Sequence, residues 1–530
     1  MAGPRAQHVL LIVADDMNPY DVGALRRFSP LPLRARPYVA TPHLDRLAAS
    51  GVVVAHAYSP HTICTPARAA LLTGRLQSTN ARVISTANRQ GLEPSVDFSA
   101  TLSSEPTIAT QLSAAGSFVC GSFGKWHLHT WTDPRDQARC SAGWSNFSAA
   151  VLAQVRAGIL GAGFHEAKTV SPCNRASNAA HDLDAIVESA QAFISRTLAA
   201  PLLYGGRRRF FAYVALTLMH EPLAWLHLRD RSRKRINPAL DEALMRPNLT
   251  RYERHYVTGI AWVDASIGAL LDTLHRLRVA QTTLTIFTAD HGRDGKYTCT
   301  AAGMRVPWIA SWPQALPAGS VLTDELVSHI DLLPTILAAT STPAAVGVSE
   351  LKGSNAYTEG HERADGRSVL PALMRTKYEI EQQERQRYER RRERAYVLCE
   401  TYRDRAILSQ THHIVWRSPD ATRTGWGAAS SAAAGIPRDG RDAWMPGSWR
   451  DAVQLYNHST ARSGSSPHRS RYTDDEGGRI DADPQQRHNL LAGRDAAQAE
   501  ALLLAADPHV AWLWRRLRAR RTSSLGHGGF

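Results

Sequence analysis

Long apolar runs are missing from this sequence. The longest, such as HVLLIVA at His8–Ala14, are strand-sized and far short of the roughly 18 uninterrupted apolar residues of a membrane-crossing helix. The chain is therefore not expected to be integral to a membrane. Cysteine is also sparse, at positions 64, 120, 140, 173, 299 and 399. Six scattered cysteines do not make a disulfide scaffold, and without a CxxC pair nothing suggests zinc; the redox compartment stays open. A basic segment leading into an apolar core is absent from the start of the chain. The sequence reads as a mature form, as one with an incomplete N-terminus, or as a protein that is not secreted. No internal repeat is found.

What is present is ordinary for a globular protein: 43% hydrophobic and 21% charged residues. The formal charge of +14 suggests an anionic partner. Two segments carry much of that charge, Lys377–Val397 and Trp512–Arg521. Mixed charges at helical spacing make the first a solvated helix. No nucleic-acid module accompanies either, so nucleic acid is not an expected partner. N-x-S/T sequons at Asn146, Asn248 and Asn457 fit a luminal or extracellular protein.

At 530 residues the chain is long for one core, which predicts a large domain and a smaller one. Short continuous apolar runs at His8–Asp16, Phe210–Leu218 and Leu284–Gly292 fit strands covered on both faces of a mostly parallel sheet. Between them, Ile260, Val263, Ile267, Leu270 and Leu274 share one face of a helix over Thr250–Leu277. Short helices are expected at Ser328–Leu337 and Asp365–Met374, and short β-type segments from about Tyr396. The predicted fold class is α/β: a large domain with a mostly parallel central sheet flanked by helices, plus a smaller C-terminal α+β domain with a short antiparallel sheet. The expected boundaries are 1–375, a charged helical connector at 376–395, and 396–530 with long loops and a terminal helix.

In an open α/β sheet, ligands bind outside the carboxyl ends of the strands. Two core strands end there in polar doublets, Asp15-Asp16 and Asp290-His291. A single strand-end Asp commonly caps the next turn; two doublets favour a shared cation. Mostly oxygen donors favour Ca²⁺ or Mg²⁺ over zinc. Cys64 opens an apparent helix, CTPARAALLTG, where unpaired N–H groups and Arg68 one turn on would welcome an anion. An inert buried cysteine is the alternative.

That segment, Cys64–Gly74, resembles the sulfatase signature C-x-P-[SA]-R, two variable residues, two apolar residues and T-G. The resemblance extends over most of the chain, through TPHLDRLAASGVVVAHAYS before it, GKWHL at Gly124–Leu128, MHEP at Met219–Pro222, ADHG at Ala289–Gly292 and KYTCTAAGMRVPW at Lys296–Trp308. It implies an alkaline phosphatase-like catalytic domain and conversion of Cys64 to formylglycine by a formylglycine-generating enzyme. The hydrated aldehyde would attack sulfur with one oxygen, and the second would expel sulfate. By motif position, Asp15, Asp16, Asp290, His291 and residue 64 would bind one divalent cation, Ca²⁺ in most of the family or else Mg²⁺. Arg68 would hold the diol, Lys125, Lys296 and His220 would surround the sulfate, and His127 would act as base.

Departures from the pattern are Thr62, Ser117, Ala301, Ala302 and the short segment Arg293-Asp294-Gly295 between His291 and Lys296. The Asp-His doublet and the spacing after Lys296 look most like the iduronate-2-sulfatase and choline-sulfatase-like branch. This implies a sulfated small molecule or glycan as substrate, with a glycosaminoglycan-type uronate sulfate first. The run Arg229–Arg235 would either steer such a polyanion or be a solvated surface. Lysosomal or extracellular placement follows from the modification. Two other functions fit: a phosphate or phosphonate monoester hydrolase, and a non-catalytic protein that binds sulfated glycans.

Overall fold

The computed structural model describes residues 4–28, 39–77, 105–173 without 117, 130–132, 134 and 137–146, 181–200, 208–220, 246–342 without 297, 365–375, 396–417 without 402–403 and 410–411, and 453–457. Its strands are β1 (His8–Ala14), β2 (Val52–Val54), β3 (Ala57–Tyr58), β4 (Phe118–Lys125), β5 (Glu166–Ser171), β6 (Arg209–Ala215) and β7 (Thr283–Ala289). They continue with β8 (Trp308–Ser311), β9 (Ser320–Leu322), β10 (Val327–Ser328), β11 (Tyr396–Glu400), β12 (Asp404–Ser409), β13 (His412–Arg417) and β14 (Val453–Asn457).

Eight strands form one sheet in the order β5-β4-β6-β1-β7-β8-β2-β9. The five from β5 to β7 are parallel, and β8 alone runs against its neighbours. Every residue of HVLLIVA in β1 is buried, as expected of a central strand with both faces covered. Helix Leu183–Ala199 packs on β4 and β6, and helix Arg251–Arg276 packs on that helix.

Helix Arg251–Arg276 begins with a reciprocal cap: Glu253 N donates to Thr250 Oγ1 at 3.2 Å, and Thr250 N donates to Glu253 Oε2 at 2.9 Å. Its predicted face, Ile260 through Leu274, is buried. Part of it, Glu253–Arg276, is long and apolar enough to cross a membrane by length and composition, contrary to the reading of short apolar runs. Its most apolar stretch is 83% buried against the rest of the chain, which makes it a core helix.

Strands β11 to β14 form the smaller antiparallel sheet expected after Tyr396. It leans on the large sheet's loops. Glu400 N donates to Pro60 O at 2.8 Å, Leu398 packs on Ala70, Leu76 and Ile330, and Val397 and Cys399 share a core with Tyr58, Cys299 and Met304. The small sheet thus braces the segments around Cys64 and after Lys296.

The predicted helix at Asp365–Met374 shrinks to one turn, Leu370–Leu373, because the amide of Val369, which would close a first turn onto Asp365 O, donates instead to Thr335 Oγ1 at 2.9 Å. The connector 376–395, the run Arg229–Arg235, the terminal helix, Ser117 and Asn146 lie outside the described residues. Cys64 and Cys120 are free thiols, whereas Cys173 is disulfide-bonded.

Candidate active site

Parallel pairing of β1 and β7 sets Ala14 beside Ala289, so Asp15 and Asp290 leave the sheet as neighbours. Asp290 N donates to Ala14 O at 3.0 Å, and Asp15 N to Leu218 O at 2.8 Å, which ties in the turn that carries His220. On β4 the register shifts between Phe123 and Gly124, and Gly124 takes φ 89° where a Cβ would collide with Ala215 O. That bulge precedes Lys125 and His127 at the same edge. Four adjacent strands, β4, β6, β1 and β7, therefore deliver the predicted polar groups to one place, the carboxyl edge of the sheet.

The fourth side is helix Cys64–Thr73, closed by Gly74 in the left-handed conformation. It is buried nearly all round, as suits its alanine- and leucine-rich sequence. Cys64 Sγ lies 3.3 Å from His291 Nε2 and 3.7 Å from Asp15 Oδ1. Burial pushes its thiol up, but Lys125 and Lys296 together bring it down to about 7. His291 Nε2 is 3.2 Å from Asp16 Oδ1, and Asp16 N donates to Asp290 Oδ1 at 3.1 Å. The donor atoms fall into two triads, Asp16-Cys64-His291 and Asp15-Cys64-Asp290, with atoms in each within 4.8 Å of one another. Three carboxylates, one imidazole and residue 64 fit a hard cation.

Cations ring these acids. Lys125 Nζ donates to Asp15 Oδ2 at 2.6 Å, and Lys296 Nζ to Asp16 at 2.8 and 3.0 Å. Arg68 donates through Nε to Asp290 Oδ2 at 3.1 Å, through Nη1 to Tyr213 Oη at 3.3 Å, and places Nη2 3.5 Å from Asp15 Oδ1. Burial opposes charge on both partners, yet His291 and Arg68 hold the Asp290 carboxyl well below its usual range. His220 Nε2 is 3.8 Å from Asp16 Oδ2. Burial and the charge of Lys125 keep the His127 imidazole neutral. Both Asp16 and His127 have positive φ, 53° and 55°, and such strain in non-glycine residues concentrates at functional sites.

The sulfatase family profile matches residues 7–342, more than half of the chain. The chain belongs to the sulfatase family. N-acetylgalactosamine-6-sulfatase of Canis lupus familiaris is 27% identical over 362 residues, covering 63% of this chain and 62% of that protein. Arylsulfatase A of Homo sapiens is 28% identical over 386 residues, covering 65% and 66%. The matched region thus spans just under two thirds of these curated relatives. A sulfatase structure solved in work on glycosaminoglycan metabolism by Bacteroides thetaiotaomicron shares the fold, with TM-score 0.57, 18% identity and coverage of 99% and 100%.

Within this sulfatase-family site, the residues named from the sequence converge: Asp15, Asp16, Cys64, Arg68, Lys125, Asp290, His291 and Lys296 are linked by the contacts above, with His220 at the rim beside Asp16. Arg68 contacts Asp290, Asp15, Tyr213 and Lys125 O, and Cys64 is among the groups whose charge acts on it. Sequence reading passed over Tyr213, inside an unbroken apolar strand, and Asn18, whose side-chain oxygen accepts from Arg293 N at 3.1 Å.

Proposed function

We propose that this sulfatase-family chain is a sulfuric ester hydrolase acting on a sulfated carbohydrate, with residue 64 as nucleophile after conversion to formylglycine. The observation that carries the proposal is the surroundings of Cys64 Sγ, which lies at a helix start among three strand-end carboxylates and the cations Lys125, Lys296 and Arg68. The field that lowers the Cys64 thiol would equally stabilise an oxyanion on the converted residue.

The hydrated aldehyde supplies two hydroxyls on one carbon, one for attack on sulfur and one for release of sulfate. Asp15, Asp16, Asp290 and His291, with residue 64, would hold a divalent cation, calcium or else magnesium, and that ion supplies Lewis acidity. Arg68 orients Asp290 and Asp15. Lys125, Lys296 and His220 face the position of the sulfate oxygens and the leaving oxygen, where charge builds. His127, held neutral, accepts a proton.

The printed names of the relatives, an N-acetylgalactosamine-6-sulfatase and a sulfatase from glycosaminoglycan metabolism, support a sulfated sugar as substrate. Our first candidate remains a uronate sulfate. Residues 1–375 would form the catalytic domain and residues 396–530 a smaller C-terminal domain. Maturation would need a formylglycine-generating enzyme. The Cys173 disulfide supports an oxidising, lysosomal or extracellular compartment.

Mass spectrometry of the peptide carrying residue 64 tests the proposal. The formylglycine form is lighter than cysteine, and an entirely unmodified thiol in protein from its native host rejects the mechanism. Turnover of a sulfate monoester should exceed that of the matching phosphate monoester, and Cys64→Ser should abolish it. The reverse preference would assign a phosphate or phosphonate hydrolase.

A further inference from the structure

The segment from His291 to Lys296 is short, and Lys296 enters the site through a turn. The Lys296 ammonium donates to Asp16 at 2.8 and 3.0 Å, while its amide donates to Arg293 O at 3.3 Å. Arg293 N in turn donates to Asn18 Oδ1 at 3.1 Å, and Asn18 follows Asp16 by two residues. The contacts close a circuit that runs from Asp16 through Asn18, Arg293 and Lys296 back to Asp16. Its path has little slack, because a Cβ at Gly292 would collide with Ala302 O and press on Asn18 Oδ1.

Asn18 is buried, and its own groups are held from three sides. Its backbone N donates to Asp21 Oδ2 at 2.9 Å, and its Nδ2 donates to Tyr20 Oη at 2.7 Å, which turns the amide oxygen toward Arg293. Tyr256 Oη donates to the other oxygen of Asp21 at 2.6 Å. The ring of Tyr256 also carries the Arg293 side chain, with the guanidinium carbon 4.9 Å from its centroid. Asn18 thus joins the residues that follow β1 to the turn that follows His291. Without its oxygen, the buried link between those two segments is lost, and a small displacement of the turn moves the lysine that ends it.

We propose that Asn18 is a positioning residue, whose side-chain oxygen fixes the turn at Arg293 and thereby holds the Lys296 ammonium beside Asp16 for the sulfate oxygens. The assignment rests on the sulfatase reading above and deepens it, since Asn18 acts through Lys296 rather than on the substrate.

A double-mutant cycle tests it with two readouts, calorimetric binding of inorganic sulfate and kcat/KM for an aryl sulfate. Asn18→Leu, similar in size but without the acceptor, should weaken sulfate binding and lower kcat/KM by about tenfold each. In a Lys296→Met background the same substitution should cost less than about twofold, because the group it positions is gone. If Asn18→Leu does not fold, Asn18→Ser, whose hydroxyl is too short to reach Arg293 N, runs the same cycle. A merely structural asparagine gives losses that multiply with those of Lys296→Met. Such independent losses, or no loss from the Asn18 variant, overturn the assignment. A wild-type protein that binds sulfate with this coupling but hydrolyses no sulfate ester would keep the assignment and reject the hydrolase reading. Wild-type turnover with independent losses would do the reverse.

Discussion

The site has two halves with different physics. Toward the sheet, the side chains of Asp15, Asp290, Arg68, Lys125 and His291 have no exposed surface. On the opposite side, Asp16 is 8% exposed, Lys296 15% and His220 20%. The inner half hangs on strand ends and a buried helix, and each of its charges is closed off by a neighbouring charge. The outer half hangs on connecting segments, and it faces the side from which a ligand must come. The contrast teaches that the same residue types, a lysine on an aspartate in both halves, carry a structural burden only where water is excluded.

Removal of one inner partner is the strongest way to break this comparison. Arg68→Met leaves Asp290 and Asp15 buried without their guanidinium and should destabilise the fold by about 3–5 kcal/mol, with activity lost as well. Chemical denaturation measures the first effect. A loss under 1 kcal/mol would mean that the inner charges are not the closed set described. Lys296→Met is the matching change in the outer half. It should lower kcat/KM for a sulfate ester roughly a hundredfold, yet shift stability by no more than about 1 kcal/mol. Comparable stability losses from the two variants would erase the distinction between the halves.

The two halves were also unequally legible in the sequence. Asp15-Asp16 and Asp290-His291 stood out because each doublet ends an apolar run, and strand ends in a parallel sheet meet at one edge. Cys64 was marked by a helix start with an arginine one turn on. What Arg68 touches was not legible, because its partners arrive from β1, β6 and β7, at sequence separations that helix spacing says nothing about. Tyr213 was masked by the hydrophobicity of its own strand. Gly124 looked like one letter of a motif until the register shift in β4 showed a bulge that re-aims Lys125. The outer segment Arg293-Asp294-Gly295 read as a shortening; its footing on Asn18 and Tyr256 depends on tertiary contacts with no local pattern.

The smallest expected effect sharpens the comparison from beneath the outer half. His255 is 1% exposed, and its ring sits 3.4 Å from Met219 O, next to His220. Burial outweighs that carbonyl contact and lowers its imidazole to about 4. In the unfolded chain the imidazole titrates near the ordinary value of about 6.5. Between those values the unfolded state binds more protons, so stability contributed by this histidine is present above about pH 6.5 and is lost as pH falls toward 4. For such a shift, about 1 kcal/mol disappears between pH 7 and pH 5.5. Other buried histidines add slopes of their own, and the difference between wild type and His255→Phe isolates this one. Unfolding free energies at the two pH values should converge by about that amount in the variant. If wild type and variant lose stability in parallel, His255 is solvated in the native state and the outer half has no buried footing there.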